Sequence, residues 1–282
     1  MCSSDLAALS SWSGRGLTWT VMAIEVPMSA ANILFNWLLI FGVGPFPRLG
    51  IFGAGLATGL ASALGCAVGL GLLFRRANRK RFDTFPRKTF DAPLFRRLVH
   101  FGLPNAVHFF LDLASFNLFI MLIGRLGPLP QEATTMAFSI NAMVFIPMIG
   151  LGMGVMVLVG QAVGARRIPR ARRAVRSAAK LVGLYCGGFL VLILVVPGLF
   201  IDIFGREGGA EQAAAMDLAH TLLHFIALYV LFDGLWVLFN HALKGAGDTR
   251  FTMWAGIGLG WGALALPAFA IYHGFARQPG TD

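Results

Sequence analysis

Seven long runs of apolar residues, each nearly free of charge, constrain this chain more than any other feature. A helix crossing the hydrocarbon core needs about 20 mostly apolar residues. Runs of that length lie at Leu17–Phe41, Ile51–Phe74, Phe101–Ile123, Met136–Gln161, Leu181–Ile201, Leu218–Leu243 and Phe251–Tyr272. Lipid offers backbone polar groups no water partner, so only helices and closed barrels can cross it. Barrel strands read as roughly ten-residue alternating segments, and these runs are longer and unbroken. The sequence therefore predicts an all-α, polytopic membrane helix bundle with about seven transmembrane helices. Composition agrees: 57% of the 282 residues are apolar and 13% charged, about half the charge of a typical soluble domain. That balance argues against a soluble enzyme. Cys66 and Cys186 lie inside apolar runs and Cys2 at the terminus, which gives no disulfide framework. The first sixteen residues lack the basic region and apolar core of a cleavable signal peptide.

The net charge of +10 is concentrated in alternate loops. The Arg75–His100 connection carries nine Lys or Arg, and Gly164–Lys180 carries seven. Lys244 and Arg250 flank the loop before the last run, whereas the intervening loops hold only Arg48, Arg125 and Arg206. Basic loops stay on the cytoplasmic side. The first span is thus expected to run from inside to outside, with the C-terminus outside. The basic runs could also bind nucleic acid or anionic lipid headgroups, but the alternation favours the topogenic reading, and no nucleic-acid partner is expected. Arg172, Arg176 and Lys180 recur every four residues opposite alanines, an amphipathic face suited to lying along the inner surface. Small residues at Gly65/Gly69, Gly150/Gly154, Gly256/Gly260 and Gly258/Gly262 have the spacing that permits close helix approach in lipid. Pro27, Pro104, Pro147, Pro197 and Pro267 lie within or near the starts of spans, where proline is common.

Three carboxylates interrupt the apolar runs: Glu25, Asp112 and Asp233. An Asp at the centre of a membrane helix costs about 2.5–3.5 kcal/mol on insertion scales, and such residues face the bundle interior or a water-filled path. Their neighbours extend the pattern. Asn105, His108, Asp112 and Ser115 share one helical face, as do Tyr229, Asp233 and Asn240. Glu25, Ser29, Asn32 and Asn36 form a third polar stripe. Three such stripes imply a water-accessible pathway whose carboxylates coordinate Na⁺ through hard oxygens or hold a proton. The alternative is a structural hydrogen bond between helices.

Other candidate chemistry is sparse. His220 and His224 in HTLLH have the spacing of a zinc pair but lack the glutamate of H-E-x-x-H. With Asp217 they form the one cluster that would suit an integral membrane enzyme. The Lys244–Thr249 loop does not fit a phosphate-binding G-x-x-x-x-G-K-[ST] motif. No catalytic residue, cofactor or metal site is assigned.

At these residues the chain resembles the multidrug and toxic compound extrusion (MATE) family, over most of its length. Gly102-Leu-Pro104 followed by Asp112 is similar to the family's seventh helix, where most relatives carry a glutamate. Val159–Ala165 is similar to the end of the eighth. Asp233, eleven residues before Lys244-Gly-Ala-Gly-Asp-Thr-Arg250, is similar to the tenth and the loop after it. Asn32 and Asn36, with the glycine-rich stretch Ile40–Ala54, resemble the fifth and sixth helices. Family members have twelve helices in two six-helix lobes, so the resemblance covers the fifth through eleventh. Twelve spans need well over 282 residues, and the chain is expected to be a fragment. Cys2–Leu6 also matches the in-frame translation of a common sequencing-adapter end.

The expected layout follows: residues 1–16, a non-native or disordered leader; 17–74, the last two helices of the N-terminal lobe; 75–100, a basic cytoplasmic linker; 101–276, the C-terminal lobe lacking its last helix; 277–282, a tail. The resemblance implies a bacterial plasma-membrane antiporter, a monomer when complete, that is not an enzyme. It would export drug-like, mainly cationic organic molecules by alternating access as Na⁺ or H⁺ enters. Asp112 and Asp233 would carry the coupling, and Asn32, Asn36, Glu25, Asn105, His108, Tyr229 and Asn240 would line the pathway. A lipid-linked oligosaccharide flippase of related architecture is the rival transport reading. It would be expected to show a basic cavity, and only Lys244 lies near an embedded face.

Overall fold

The computed structural model describes residues 12–14, 16–42, 47–74, 91–196 and 210–276. Most of the expected leader, the basic connection over 75–90, Pro197, Ile201, the acidic loop over 202–209 and the 277–282 tail lie outside the described residues. All regular elements among the described residues are helical: α1 (Thr18–Phe41), α2 (Gly50–Leu73), α3 (Ala92–Gly124), α4 (Pro128–Gly164), α5 (Ile168–Val195), α6 (Ala210–Ala246), α7 (Thr249–Leu259), a π-helical turn (Gly260–Ala265) and α8 (Leu266–Ala276). Seven spans among them are long and apolar enough to cross a bilayer, with α7, the π turn and α8 together supplying the seventh. Large apolar side chains stand outward, among them Ile51, Leu184 and Leu228, each more than 70% exposed. A soluble protein cannot present so much apolar surface, whereas lipid accommodates it.

Two compact units divide the chain, residues 1–91 and 92–282. In the first, α1 packs on α2, and Trp12 is buried against Ile24 with Val21 and Leu72 beside it. In the second, α4, α5 and α6 form the core. Met148, Val155 and Val159 of α4 meet Val182 and Cys186 of α5 and Val237 and Leu238 of α6. A further layer joins Ala137 and Ile140 to Ile193, Leu223 and Ile226. Helix α3 packs chiefly on α7 and the π turn, and also touches α4 through Phe116 and Phe119 against Phe138.

Four helices are longer than their apolar runs. Ala92–His100, placed in the linker by its charges, is the first two turns of α3. Arg96, Arg97 and His100 lower its apolarity, but nothing between Pro93 and Gly102 breaks a helix. The basic segment before Leu181 likewise is no separate surface helix. It continues unbroken into the span as α5, Pro169 opening the first turn and Ala171, Ala178 and Val182 turned to the core. Helices α4 and α6 each begin eight residues before their runs, and α1, α3 and α4 continue through Pro27, Pro104 and Pro147.

Glycine sets the closest approaches, and only some of the spaced pairs take part. Gly150, Gly154, Gly258 and Gly262 face open space. Gly152 instead receives the ring of His241, and Gly245 lies against the main chain of Met156, so α4 and α6 touch almost backbone to backbone. A branched side chain at Gly245 must part the two helices. Gly245→Val is expected to cost about 1–3 kcal/mol and lower the thermal midpoint of the detergent-solubilised protein. Gly150→Ala should leave that midpoint unchanged. Equal midpoints for wild type and Gly245→Val would contradict the packing described.

Candidate functional site

The polar face of α3 meets α7 and the π turn at two glycines, Gly256 and Gly260. A Cβ on Gly256 would overlap the imidazole of His108, so the bare backbone forms the notch that receives this ring. One turn on, a Cβ on Gly260 would stand 3.5 Å from both Asp112 Oδ1 and Ser115 Oγ. The Ser115 hydroxyl donates a 2.7 Å hydrogen bond to the Gly260 carbonyl, the first residue of the π turn. π-helical turns recur at functional sites because they break the regular ladder. His108 is 6% exposed and Ser115 1%, whereas Asp112 keeps about half of its side chain open. His108 Nε2 lies 3.6 Å from Asp112 Oδ2, within ion-pair range but beyond a hydrogen bond. Among the described residues that nitrogen has no hydrogen-bond partner, and neither has the buried Nε1 of Trp261 in the π turn. Lys244, half-buried in the last turn of α6, is within electrostatic reach of both Asp112 and His108.

The turn that delivers Lys244 explains the motif around it. Gly247 has φ +95°, a conformation that favours glycine. Asp248 caps α7, its Oδ1 accepting from the Phe251 amide at 3.1 Å, and Thr252 Oγ1 returns to the Thr249 carbonyl at 3.0 Å. The Lys244–Arg250 motif is thus a tight connection between two helices. A Cβ on Gly247 would lie 3.7 Å from Phe101, which puts this turn beside the early part of α3.

Asp233 occupies a different setting, on α6 against α4 and α5. Gly234 beside it is packed against Cys186, Val182 and Met148, which brings α6 close to both neighbours. Asp233 is half-buried and within electrostatic reach of Tyr229 and Cys186. The Cys186 thiol lies 3.2 Å from Met148 Sδ, and the Tyr185 hydroxyl donates to the Val144 carbonyl at 3.3 Å. Two turns further along α6, Asn240 is buried, and its Oδ1 has no partner among the described residues. Buried polar atoms are nearly always paired. Among the described residues such orphans lie on both carboxylate-bearing helices.

In the first unit, Glu25 is half-buried on α1. Asn36 Nδ2 donates to Asn32 Oδ1 at 3.0 Å, and Asn32 Nδ2 to Thr58 Oγ1 of α2 at 3.5 Å. Asn32 and Asn36 therefore tie one helix turn and the α1–α2 pair.

The expected stripe on α3 divides. His108 and Ser115 are buried, while Asn105 and Asp112 are exposed. No hydrogen bond or ion pair joins Asp112 to Asp233 among the described residues. His224 Nδ1 lies 2.9 Å from the His220 carbonyl in an ordinary turn-to-turn contact. Among the described residues no group of three His, Cys, Asp or Glu gathers as a metal site. Sequence reasoning left Lys244 and Cys186 out of the two polar neighbourhoods. Both are far in sequence from the carboxylates they approach, and the one available signal was a lysine at the edge of an apolar run.

A family model described as MatE matches residues 104–260. The protein of Brucella suis biovar 1 named "Probable multidrug resistance protein NorM" is 32% identical over 263 residues, covering 90% of this chain and 54% of that protein. The protein of the same name from Mesorhizobium japonicum is 32% identical over 259 residues, covering 90% and 55%. The chain spans about half the length of the curated relatives it matches. Among solved structures, a MATE crystallised in complex with MaL6 aligns with a TM-score of 0.82 at 16% identity, covering 98% of this chain and 59% of that one. The eukaryotic MATE transporter AtDTX14 aligns at 0.71 with 22% identity, covering 92% and 63%. At those identities the likeness is one of fold.

The bond between Ser115 and the π turn is open to direct test. Ser115→Ala removes this part-buried hydrogen bond and is expected to cost about 0.5–1.5 kcal/mol, seen as a lower thermal midpoint in detergent. A midpoint equal to wild type would show that the bond does not hold the turn.

Proposed function

Since the chain belongs to the MatE family of multidrug efflux transporters, we propose that it forms part of a cation-coupled antiporter working by alternating access. The family's members are transporters, not enzymes, and this is a multi-pass membrane protein. We place it in the bacterial plasma membrane with its basic connections on the cytoplasmic side. Residues 17–74 would be the last two helices of one lobe and 101–276 most of the other. The complete protein would work as a monomer.

The observation that carries this reading is the pair of intramembrane carboxylates, Asp112 on α3 and Asp233 on α6. Each stands beside polar side chains in an otherwise apolar bundle. A charge held there at a cost of kilocalories marks an ion or substrate path. In the antiporter, Asp112 and Asp233 take up the incoming Na⁺ or H⁺, and His108, Tyr229 and Asn240 complete their surroundings. Asn105, exposed one turn before His108, lines the approach, and Asn32, Asn36 and Glu25 line the first unit's part of the pathway. The exported molecules are drug-like and organic. A carboxylate-bearing path with no ion bound favours cationic ones. Exchange follows when ion and drug stabilise different conformations, because a ligand indifferent to conformation shifts no equilibrium.

Dye efflux from proteoliposomes bearing the complete protein, driven by an imposed Na⁺ or H⁺ gradient, tests the assignment. Asp112→Asn and Asp233→Asn are each expected to reduce gradient-driven efflux by roughly 5–150-fold, the usual range of coupling between linked sites. Wild-type efflux from both variants would remove the coupling role from these residues.

A further inference from the structure

We propose that His108 determines the driving ion at Asp112: imidazole and carboxylate take up one proton between them, which favours H⁺ over Na⁺ at this site. The proposal rests on the antiporter reading above and deepens it by naming the ion.

The geometry combines a fixed ring with a movable carboxylate. The His108 ring is buried, and the bare backbone of Gly256 leaves the space that it fills. Its Nε2 has no hydrogen-bond partner among the described residues, although buried polar atoms are nearly always paired. Asp112 Oδ2 lies 3.6 Å from that nitrogen, on a side chain about half exposed. A small rotation of the carboxylate brings the two to hydrogen-bond length. A pair four residues apart on an open helix face is worth little, because water serves both partners. Here the ring is held away from water, and the carboxylate is the polar group placed to complete it.

A proton arriving at this pair has two places to rest. On Asp112 Oδ2 it forms an O–H that donates to the Nε2 lone pair. On Nε2 it forms an imidazolium N–H that donates to Oδ2. Either way the pair passes from one negative charge to none, and the unpartnered nitrogen gains its bond. Two groups this close take up the proton as a unit. Na⁺ gains less, because a hard cation seeks a shell of oxygens and the group closest to the carboxylate offers a nitrogen. The Ser115 hydroxyl on the same face is already engaged with the Gly260 carbonyl.

The charges around the pair do not choose between the two ions. On α3 itself, His100 is exposed two turns earlier. On α7, Arg250 is exposed in the first turn and Asp248 caps the helix through the Phe251 amide. The π turn and the described side chains of α8 carry no charge, and α4 presents Phe138 where it meets α3. From α6, half-buried Lys244 is within electrostatic reach of both members. Its positive charge opposes Na⁺ and H⁺ alike.

Dye efflux from proteoliposomes bearing the complete protein is measured with a pH gradient in Na⁺-free buffer, and with a Na⁺ gradient at uniform pH. The pH gradient is expected to drive wild-type efflux without Na⁺. His108→Gln keeps a polar side chain but takes up no proton. It should move the half-maximal point of the efflux–pH profile about one unit toward acid, a roughly tenfold weaker hold on the proton. The sign follows because Asp112 alone needs more acid to be protonated. Gly256→Ala leaves every titratable group in place but displaces the imidazole, and should move the profile the same way. A histidine that only fills the notch would change thermal midpoint or maximal rate and leave the profile where it was. An unmoved profile in both variants would overturn the role of His108. So would wild-type efflux that follows Na⁺ and ignores the pH gradient, a result that leaves the antiporter reading standing. Wild-type efflux indifferent to both gradients would overturn the antiporter reading itself.

Discussion

Closure of α7 and the π turn onto α3 at Gly256 and Gly260 is the contact on which the Asp112 neighbourhood depends. Two side chains are missing from one helix, and two on the other, His108 and Ser115, fill the space. Without that closeness the imidazole would be pushed out of its notch, and the Ser115 hydroxyl could not reach the Gly260 carbonyl at 2.7 Å. The bond falls at the start of the π turn, so a polar group of α3 holds the point where the seventh span departs from regular helix. Helix association in lipid gains little from burying apolar surface and relies on close packing and hydrogen bonds. Gly152 and Gly245 do the same between α4 and α6, and Gly234 beside Asp233.

Much of the fold was legible because a bilayer fixes the length of what crosses it. The seven runs became seven spans, and helices extend past them where amphipathic turns carry charge, as Ala92–His100 and the basic start of α5 do. Hydropathy marks where lipid begins and is silent on where a helix begins. Spacing showed that Asn105, His108, Asp112 and Ser115 share a face, and they do. It could not show that α7 would cover His108 and Ser115 and leave Asn105 and Asp112 open. The pattern of glycines was similarly ambiguous. Gly256/Gly260 and Gly258/Gly262 have the same spacing one-half turn apart, and the first pair alone meets α3. Which stripe packs is decided by the partner helix, and that information is not local.

The two carboxylates have different surroundings. Asp112 is half-open, with a buried histidine on its own helix. Asp233 is set near Tyr229 and the contact of Cys186 with Met148. Two acidic groups in unlike settings respond differently to the same change in helix packing. The exchange proposed above requires that ion and drug favour different conformations.

Cation counterflow tests the central claim most directly. Proteoliposomes bearing the complete protein would be loaded with an organic cation, and entry of Na⁺ and H⁺ recorded as the cation leaves down its own gradient. Obligate exchange predicts that one of the two ions enters in fixed proportion to the cation exported, and that entry stops when the cation is absent. Export with no accompanying entry of either ion would contradict the account, leaving these carboxylates without a coupling role.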